Sequence, residues 1–469
     1  MQFNSLEFLF FCAIFYALWH GLCRGNNGRW AFLTAASFLF YGWWDWRFLL
    51  LLAGTGLIDF YAAAAIVRWP SARTFWLTAS LVTNLGSLAI FKYLDFFTSN
   101  ANHVLTFCGL ETQIPLPHLL LPVGISFYTF QSMSYTIDVY RGQLKPTRNV
   151  LHFFAYLSMF PQLVAGPILR ASDLLPQLME SPRLTEAKRW RGTQLIAWGL
   201  FKKMVIADSV ALISNRAFAV ENVEIGGCVF WWLAAAAFAV QIYCDFSGYS
   251  DIACGLACWM GYTFPVNFNH PYVACSMSDF WGRWHISLST WFRDYLYIPL
   301  GGSRRGMIRS HANMWLTMLA SGIWHGANWT FVAWGALHAL LLSIERLTKW
   351  PERLARLPGG HVFSTLVTLT LVLVSWVFFR AENVAQALQI VVRMFDFSTF
   401  AVSDVRAFNS RAVAITVLFL LAELRFLVKL PTWSPVRVVA PLRPVFIAVI
   451  LVACVYFRGP GNAFIYFQF

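Results

Sequence analysis

The chain has 469 residues, of which 58% are hydrophobic and 12% charged, and its formal net charge at pH 7 is +13. Soluble domains carry about 25% charged residues, so this composition excludes a soluble enzyme. The basic residues fall in short loops between apolar runs. A nucleic-acid-binding protein would have a basic groove with interleaved aromatic residues, and the sequence shows none. We therefore expect an all-α polytopic membrane protein without a nucleic-acid partner.

Apolar runs follow one another along the whole chain. A spanning helix needs about 20 mainly apolar residues, and the runs predict about 11 transmembrane helices with additional re-entrant and amphipathic helices. Met1–His20 has no basic start and no small-residue cleavage site, so we expect a retained first helix. Leu121–Gly124 is expected to break its run. The predicted runs are 6–22, 30–44, 47–67, 75–94, 118–137, 150–168, 194–213, 228–246, 248–262, 313–343, 362–380, 411–428 and 441–457.

Lysine and arginine mark the loops that remain on the cytoplasmic side of a membrane. Loops 95–111 and 221–224 carry neither residue and are predicted to be periplasmic. This pattern predicts a multi-pass membrane protein, surrounded by lipid, with one membrane domain over residues 1–469. The basic loops are 24–29, 68–73, 141–148, 170–203, 283–309, 346–356 and 425–443.

Residues 279–310 differ from the apolar runs. Large apolar side chains recur there at steps of three and four residues, which predicts an amphipathic helix at an interface, ended by Gly301-Gly302. The members of this stripe are Trp281, Trp284, Leu288, Trp291 and Tyr295.

His325 is the principal candidate for chemistry. In the apolar run 314–342, only His325 and His338 can titrate near neutral pH. A titratable ring in a membrane helix costs free energy, so its presence needs a reason. One interpretation is acid–base catalysis by His325. The other is a buried histidine that is hydrogen-bonded to a neighbouring helix. Gly326 has no side chain and is expected to let a substrate approach the ring. Asn328 is expected to steady the ring or a developing oxyanion.

The remaining polar candidates have more than one interpretation. His338 lies about 220° round a continuous helix from His325, so a structural or gating role is favoured unless the helix breaks. His285 either lines an entrance for an anionic donor, orients another group, or is an ordinary interfacial histidine. Asp245 and Asp251, at the junction of two apolar runs, either shape a polar cavity or, as we favour, cap helices or pair with a basic neighbour.

Arginines cluster around the predicted amphipathic helix. They either only set the orientation in the membrane or also dock a phosphate-bearing donor such as coenzyme A. The members are Arg283, Arg293, Arg304, Arg305 and Arg309.

The nine cysteines form no disulfide framework, and no metal motif is visible, so we expect the cysteines to be small apolar packing residues.

Several motifs together resemble those of the membrane-bound O-acyltransferases, and among them the membrane subunits of bacterial alginate O-acetylation. The set covers most of the chain and is highly specific. One residue departs from the pattern, since Gly282 stands where the family usually has the first arginine of Trp-Arg-Arg-Trp-His. The matching stretches are 122–131, 134–142, 161–167, 245–251, 280–289, 293–302, Trp324-His325-Gly326 and the ending 464–469.

The resemblance implies a bundle of about eleven spans with a funnel from the cytoplasm and His325 as the catalytic residue. It also implies acetyl-CoA as the acyl donor, with no bound cofactor. The acyl group would pass to a periplasmic partner, which is a lipase-like (SGNH) acetyltransferase or a small membrane peptide, within a polysaccharide synthesis and secretion complex. Relatives that act on cellulose or peptidoglycan share these motifs, so the polymer stays open.

Functions of other classes remain as alternatives. A transporter or flippase for a lipid-linked glycan would use intramembrane His and Asp as relay or binding groups, but no paired inverted repeats are visible. A scaffold for a secretion complex would not need His325 for polymer acylation.

Overall fold

The computed structural model describes residues 1–22, 25–164, 166–219, 222–424, 442–462 and 464–465. Within these ranges the regular elements are all helical, which confirms the all-α prediction. Parts of the predicted loops 24–29, 221–224 and 425–443, and most of the terminal stretch 464–469, lie outside the described residues.

The α-helices are numbered in chain order. The first are α1 (Leu6–Leu22), α2 (Asn26–Gly42), α3 (Arg47–Arg68), α4 (Arg73–Leu88), α5 (Leu94–Phe107), α6 (Ile125–Tyr140), α7 (Val150–Leu157), α8 (Phe160–Leu163), α9 (Ala171–Met179), α10 (Glu186–Leu200) and α11 (Asp208–Phe218). The others are α12 (Cys228–Met260), α13 (Met277–Arg283), α14 (Ile286–Phe292), α15 (Met307–His325), α16 (Trp329–Thr348), α17 (Trp350–Leu354), α18 (Gly360–Arg380), α19 (Val384–Phe395), α20 (Ser410–Leu424) and α21 (Arg443–Tyr456). Short π-helical segments lie at Ala89–Tyr93, Phe201–Ala207 and Arg293–Tyr297.

Among the described residues, five helices are long and apolar enough to cross a membrane, which confirms a multi-pass membrane protein. They are Arg47–Arg68, Pro70–Phe107, Cys228–Met260, Trp329–Thr348 and Gly360–Arg380. The chain divides into two compact units, the first made of Met1–Ile196 and Ser250–Pro265, the second of Ala197–Tyr249 and Val266–Phe469. A total of about eleven spans and a single membrane domain stay predictions.

The first unit is built around α6, which is buried along most of its length and packs against α3 and α4. The predicted break is confirmed, since α6 begins only after Gly124, whose φ of 77° ends the preceding irregular stretch. On α3, Asp59 is fully buried and accepts hydrogen bonds from Ser80, Asn84 and Ser132. A buried carboxylate is tolerated only when donors satisfy it, so these bonds fix the three helices against one another.

The second unit has an aromatic core with Trp231, Trp284, Trp334 and Trp376 fully buried. Its principal feature is a pair of antiparallel helices, α15 and α16, that pack closely together. Glycines permit this approach, because a Cβ atom on Gly335 would lie 2.5 Å from the carbonyl oxygen of Met318. The predicted single run 313–343 was therefore wrong, since the chain turns back after Gly326.

The predicted boundary inside α12 was also wrong. The runs 228–246 and 248–262 form one helix of 33 residues. Gly248 does not interrupt it, because this glycine allows close packing instead, with its Cβ position 2.8 Å from the carbonyl oxygen of Gly199.

The expected amphipathic helix over 279–310 is broken at Trp284 and His285, where His285 has a φ of 41°. Residues 267–269 supply the backbone partners at the break: Ile286 N–H donates to Asn267 O at 2.9 Å, and Asn269 N–H donates to Arg283 O at 2.9 Å. Because a distant segment satisfies these backbone groups, the chain can bend there and bury both side chains.

Candidate active site

His325 is the last residue of α15 and is 4% exposed. Gly326 follows in an extended conformation, and Asn328 then caps α16 by accepting a hydrogen bond from Thr330 N–H at 3.0 Å. The side chain of Asn328 also donates to Glu382 O at 3.0 Å. Asn328 therefore fixes the turn and the start of α16, and its expected role in steadying the imidazole ring or an oxyanion stays a prediction.

Gly326 also has a different role from the one expected. A Cβ atom at this position would collide with the ring of Phe331. The missing side chain thus makes room for Phe331 and does not leave an open path to the imidazole. Phe331 in turn packs on Phe379 of α18, with ring centroids 4.9 Å apart.

Aromatic rings enclose the imidazole of His325. The centroid of that ring lies 5.0 Å from Trp324, 5.2 Å from Trp334 and 5.2 Å from Phe379, and each pair meets edge to face. The enclosing rings come from α15, α16 and α18, so the position of His325 depends on the packing of these helices. Tight aromatic packing of this kind restricts ring rotation and excludes water.

His338 lies on the other side of Trp334, with ring centroids 4.6 Å apart. It is fully buried, packs on Trp281 at 5.1 Å, and neither of its ring nitrogens has a hydrogen-bond partner among the described residues. Because the helix breaks at Gly326, His325 and His338 are not held on different faces of one continuous helix. Both histidines therefore contact Trp334.

His285 is fully buried, which favours the interpretation that it orients another group over the one that it lines an entrance. Its Nδ1 lies 3.2 Å from Asn267 Oδ1, an oxygen that also accepts from Ser287 N–H and Oγ–H. Because this oxygen is an acceptor, Nδ1 carries the proton in the neutral ring and Nε2 is the basic atom. The ring of His285 meets Trp324 edge to face at 6.2 Å, which matches an orienting role.

A cavity of about 540 Å³ lies beside this cluster in the second unit. Ser321, one turn before His325 on α15, lines its wall, and Arg293 and Arg346 supply its positive charges. Its remaining wall is mainly apolar and includes Trp281, Gly282, Leu288, Phe292, Met314 and Leu342. Such a cavity suits a ligand with an anionic part and an apolar part.

The arginines of the predicted donor site divide into two kinds. Arg283 pairs with Asp279 at 2.7 Å and Arg293 with Asp294 at 2.7 Å, so both are oriented by carboxylates. Arg304 and Arg305 are exposed on the turn before α15. Only Arg293 of these lines the cavity, and Arg346, which the sequence did not indicate, lines it too.

Asp245 pairs with a basic neighbour, as favoured from the sequence, since its Oδ1 lies 2.9 Å from Lys203 Nζ. Asp251 belongs to the part of α12 that lies in the first unit and is half-buried.

Glu345 is a site-supporting residue that the sequence did not single out. Its carboxylate accepts from Met277 N–H at 2.6 Å and Ser278 N–H at 3.2 Å, which ties the start of α13 to α16. The only signal in the sequence was an acidic residue at the end of an apolar run. In the part of the chain that the structure describes, no three His, Cys, Asp or Glu side chains are grouped as metal ligands would be.

Comparison with known proteins gives the family. Residues 8–358 match the model of the membrane-bound O-acyltransferase family, MBOAT. The chain is 42% identical over 428 residues to a probable alginate O-acetylase of Pseudomonas aeruginosa, covering 90% of this chain and 80% of the relative. It is 35% identical over 390 residues to a peptidoglycan O-acetyltransferase of Helicobacter pylori, covering 77% and 73% of the two chains.

A teichoic acid D-alanyltransferase of Bacillus subtilis is 28% identical over 319 residues, covering 61% of this chain and 78% of that protein. The chain belongs to the membrane-bound O-acyltransferase family, as the sequence motifs predicted. It is therefore an acyltransferase.

Proposed function

We propose that the chain moves an acetyl group from cytoplasmic acetyl-CoA across the bacterial inner membrane for O-acetylation of a secreted polysaccharide, through a periplasmic partner. The polysaccharide would be an alginate-like or cellulose exopolysaccharide. The observation that carries the proposal is a buried histidine at a helix end, one turn from a residue that lines an arginine-bordered cavity. The names of the relatives support acetyl transfer to a polymer.

The chemistry assigned to His325 is general base catalysis. The neutral imidazole would take the proton of an acceptor hydroxyl while that oxygen attacks the carbonyl carbon of the thioester. A C–O bond forms and the C–S bond breaks. The proton then passes from the imidazolium to the leaving sulfur, which departs as the free thiol of coenzyme A. The enclosing rings of Trp324, Trp334 and Phe379 would hold the imidazole in one orientation.

The donor would occupy the cavity beside α14 and α15. Arg293 and Arg346 suit its phosphates, because guanidinium groups form forked hydrogen bonds with phosphate oxygens. The apolar wall would pack on the uncharged arm that carries the thioester. Acetyl-CoA is consumed as a substrate in this scheme, and no resident cofactor takes part.

The acceptor side requires a second protein in this proposal. The predicted periplasmic loops are too short for an additional enzyme domain, and a polysaccharide needs exposed aromatic platforms on a soluble surface. The partner would be an SGNH, lipase-like acetyltransferase or a small membrane peptide, working with the polymer synthesis and secretion complex. In liposomes with acetyl-CoA on one face and polymer on the other, robust polymer acetylation by the purified chain alone would refute this relay.

Substitution of His325 tests the central assignment. His325→Ala should abolish release of free thiol from acetyl-CoA in the presence of the partner. The variant should still insert into the membrane and stay folded after purification in detergent. His361→Ala is the matched control, because His361 is exposed on α18 and should leave the rate unchanged. Near-normal polymer acetylation by well-expressed His325→Ala cells would contradict the assignment, and glycan translocation without thiol release would favour a flippase.

Peptidoglycan is the second candidate polymer, favoured by the similarity to the Helicobacter pylori enzyme. The acyl-transfer chemistry would be the same, and only the partner and its polymer would differ. Incubation of the chain and its partner with each polymer and radiolabelled acetyl-CoA distinguishes the two, because label should appear in one polymer only.

A further inference from the structure

A cluster of buried charges lies in the second unit, outside the candidate active site. Lys203 Nζ lies 2.9 Å from Asp208 Oδ1 and 2.9 Å from Asp245 Oδ1, and the three side chains are at most 3% exposed. Lys203 belongs to the π-helical segment Phe201–Ala207, and Asp245 to α12, a candidate membrane span. Buried charges inside membrane helices are costly and usually serve a function, and π-helical segments often occur at functional sites.

The charges of this cluster bind the backbone of a segment near the C-terminus. Lys203 Nζ donates to Asn462 O at 2.9 Å, Asp245 Oδ2 accepts from Ile465 N–H at 2.7 Å, and Asp208 Oδ1 accepts from Asn462 N–H at 3.4 Å. Gly459 N–H donates to Met204 O at 2.8 Å. Each charged group therefore serves two purposes, since it balances another charge and satisfies a backbone group of Asn462 or Ile465.

The start of this segment fits tightly against α11. A Cβ atom on Gly459 would lie 2.6 Å from both Asp208 O and Ser209 N, so only a glycine can approach the helix this closely. The segment is thereby held at both ends, by the close contact at Gly459 and by the carboxylate of Asp245.

Phe464 connects the segment to the candidate active site. Its fully buried ring packs on Tyr249 at 4.4 Å and on Phe246 at 5.7 Å. Phe246 meets His285 edge to face at 4.6 Å. His285 in turn contacts Trp324, the neighbour of His325. An unbroken series of packed rings thus runs from Phe464 to the catalytic candidate.

We propose that Lys203, Asp208 and Asp245 form an internal docking site for residues 459–462 and 464–465, and that the docked Phe464 positions His285 and Trp324 for acyl transfer. The three charged residues and Phe464 are positioning residues and do not touch the acetyl group. This inference rests on the proposed function for its effect on rate, whereas the docking itself can be measured without any acyl transfer.

The docking is tested by labelling a thiol at residue 462. Asn462→Cys keeps the backbone bonds of that residue, because the observed bonds use its N–H and carbonyl. Reaction with a water-soluble maleimide, located by peptide mass spectrometry, should be slow in this background. Adding Lys203→Met should accelerate labelling at 462 by about tenfold or more, since a buried ion cluster that loses its cation no longer holds its partners. Lys203→Arg should restore slow labelling in part.

The effect on rate is tested with Phe464, whose replacement leaves the charge cluster intact. Phe464→Ala should lower kcat for thiol release by about tenfold to a hundredfold, since small displacements of catalytic groups have effects of that size. The apparent KM for acetyl-CoA should change little, and Phe464→Leu should recover part of kcat. Phe408→Ala is the matched control: Phe408 is also buried in the second unit and packs on Phe230, and neither ring is a member of the series from Phe464 to Trp324.

The outcomes separate the two levels of the inference. Faster labelling with Lys203→Met and a fall in kcat with Phe464→Ala but not with Phe408→Ala would support it. Unchanged labelling at 462 would overturn the docking site, and an unchanged kcat with Phe464→Ala would overturn the positioning role. A wild-type chain that never releases thiol from acetyl-CoA, even with the partner present, would refute the proposed function and leave the labelling result valid.

Discussion

At the scale of single residues, Trp334 connects the two buried histidines of the second unit. His325 and His338 meet it edge to face, at 5.2 Å and 4.6 Å between ring centroids. Among the described residues, neither ring nitrogen of His338 has a hydrogen-bond partner. A buried polar ring without partners reduces stability, and such groups persist where function requires them.

His338→Leu tests whether stability is sacrificed for function at that position. The substitution removes two unsatisfied nitrogens, so the purified protein should be more stable by about 1 kcal/mol in thermal or denaturant unfolding. The acyl-transfer rate should fall, as expected where activity depends on a destabilised site. Lower stability of the variant would mean that the imidazole has a favourable partner, and would contradict the prediction.

Gly282 is the departure from the family motif. It lines the cavity, is exposed, and a Cβ atom there would find no atom within 4 Å. Gly282→Arg should therefore fold normally and add a positive charge at the cavity. The apparent KM for acetyl-CoA should fall by about two- to fivefold, because one exposed ionic interaction changes binding by a factor of that size. Gly282→Gln is the uncharged control, and an equal effect of both substitutions would argue against an electrostatic cause.

At the scale of elements, two breaks shape the site. α15 ends at His325 because Asn328 starts a new helix that returns alongside it. α13 ends before Trp284 because residues 267–269 take up the backbone groups at the bend. These breaks bring residues from α13, α15, α16 and α18 around one pair of histidines. The close approach of α15 and α16 depends on small residues at their interface, as in many membrane helix pairs.

Gly335→Ala tests the importance of this approach. A methyl group there would press on Met318 O, so we expect a loss of about 1–3 kcal/mol of stability and a lower kcat. Gly54→Ala in α3 is the matched control, because nothing lies within 4 Å of its Cβ position. The control should gain about 0.5–1 kcal/mol from helix propensity. Equal stability of both variants would show that α15 and α16 can separate without cost.

At the scale of the whole molecule, the net charge of +13 arises because 35 lysines and arginines outnumber 22 acidic residues. The turn before α15 carries Arg304 and Arg305, and both are exposed. We predict that this turn faces the cytoplasm and attracts the anionic donor. Long-range attraction of this kind is weakened by salt, because the screening length is about 8 Å at physiological ionic strength.

The double substitution Arg304→Gln, Arg305→Gln should raise the apparent KM for acetyl-CoA by about two- to fivefold while kcat changes less. The wild-type KM should rise with ionic strength, and the KM of the variant should depend on it less. A cysteine at Ser303 should react with impermeant reagents from the cytoplasmic side. Labelling from the periplasm alone would overturn both the topology and the role of the turn.

The sequence by itself determined the helical class, the membrane location and the family, and it singled out His325. These conclusions rest on local properties: hydropathy and periodicity are set within one helix length, and a titratable ring in an apolar run is visible without a fold. The partner of Asp245 was anticipated only as a type of residue, since nothing in the local sequence identifies Lys203.

The tertiary structure alone decided where helices break and what surrounds each polar group. A helix end depends on whether distant atoms satisfy its free backbone groups, as 267–269 do at His285, and no local pattern records that. For the same reason the sequence did not show the neighbours of Gly326 and Asn328: Phe331 occupies the space beside the glycine, and Glu382 and Thr330 engage the amide. Long-range packing converts a pattern of candidate residues into a site, because only folding specifies their neighbours.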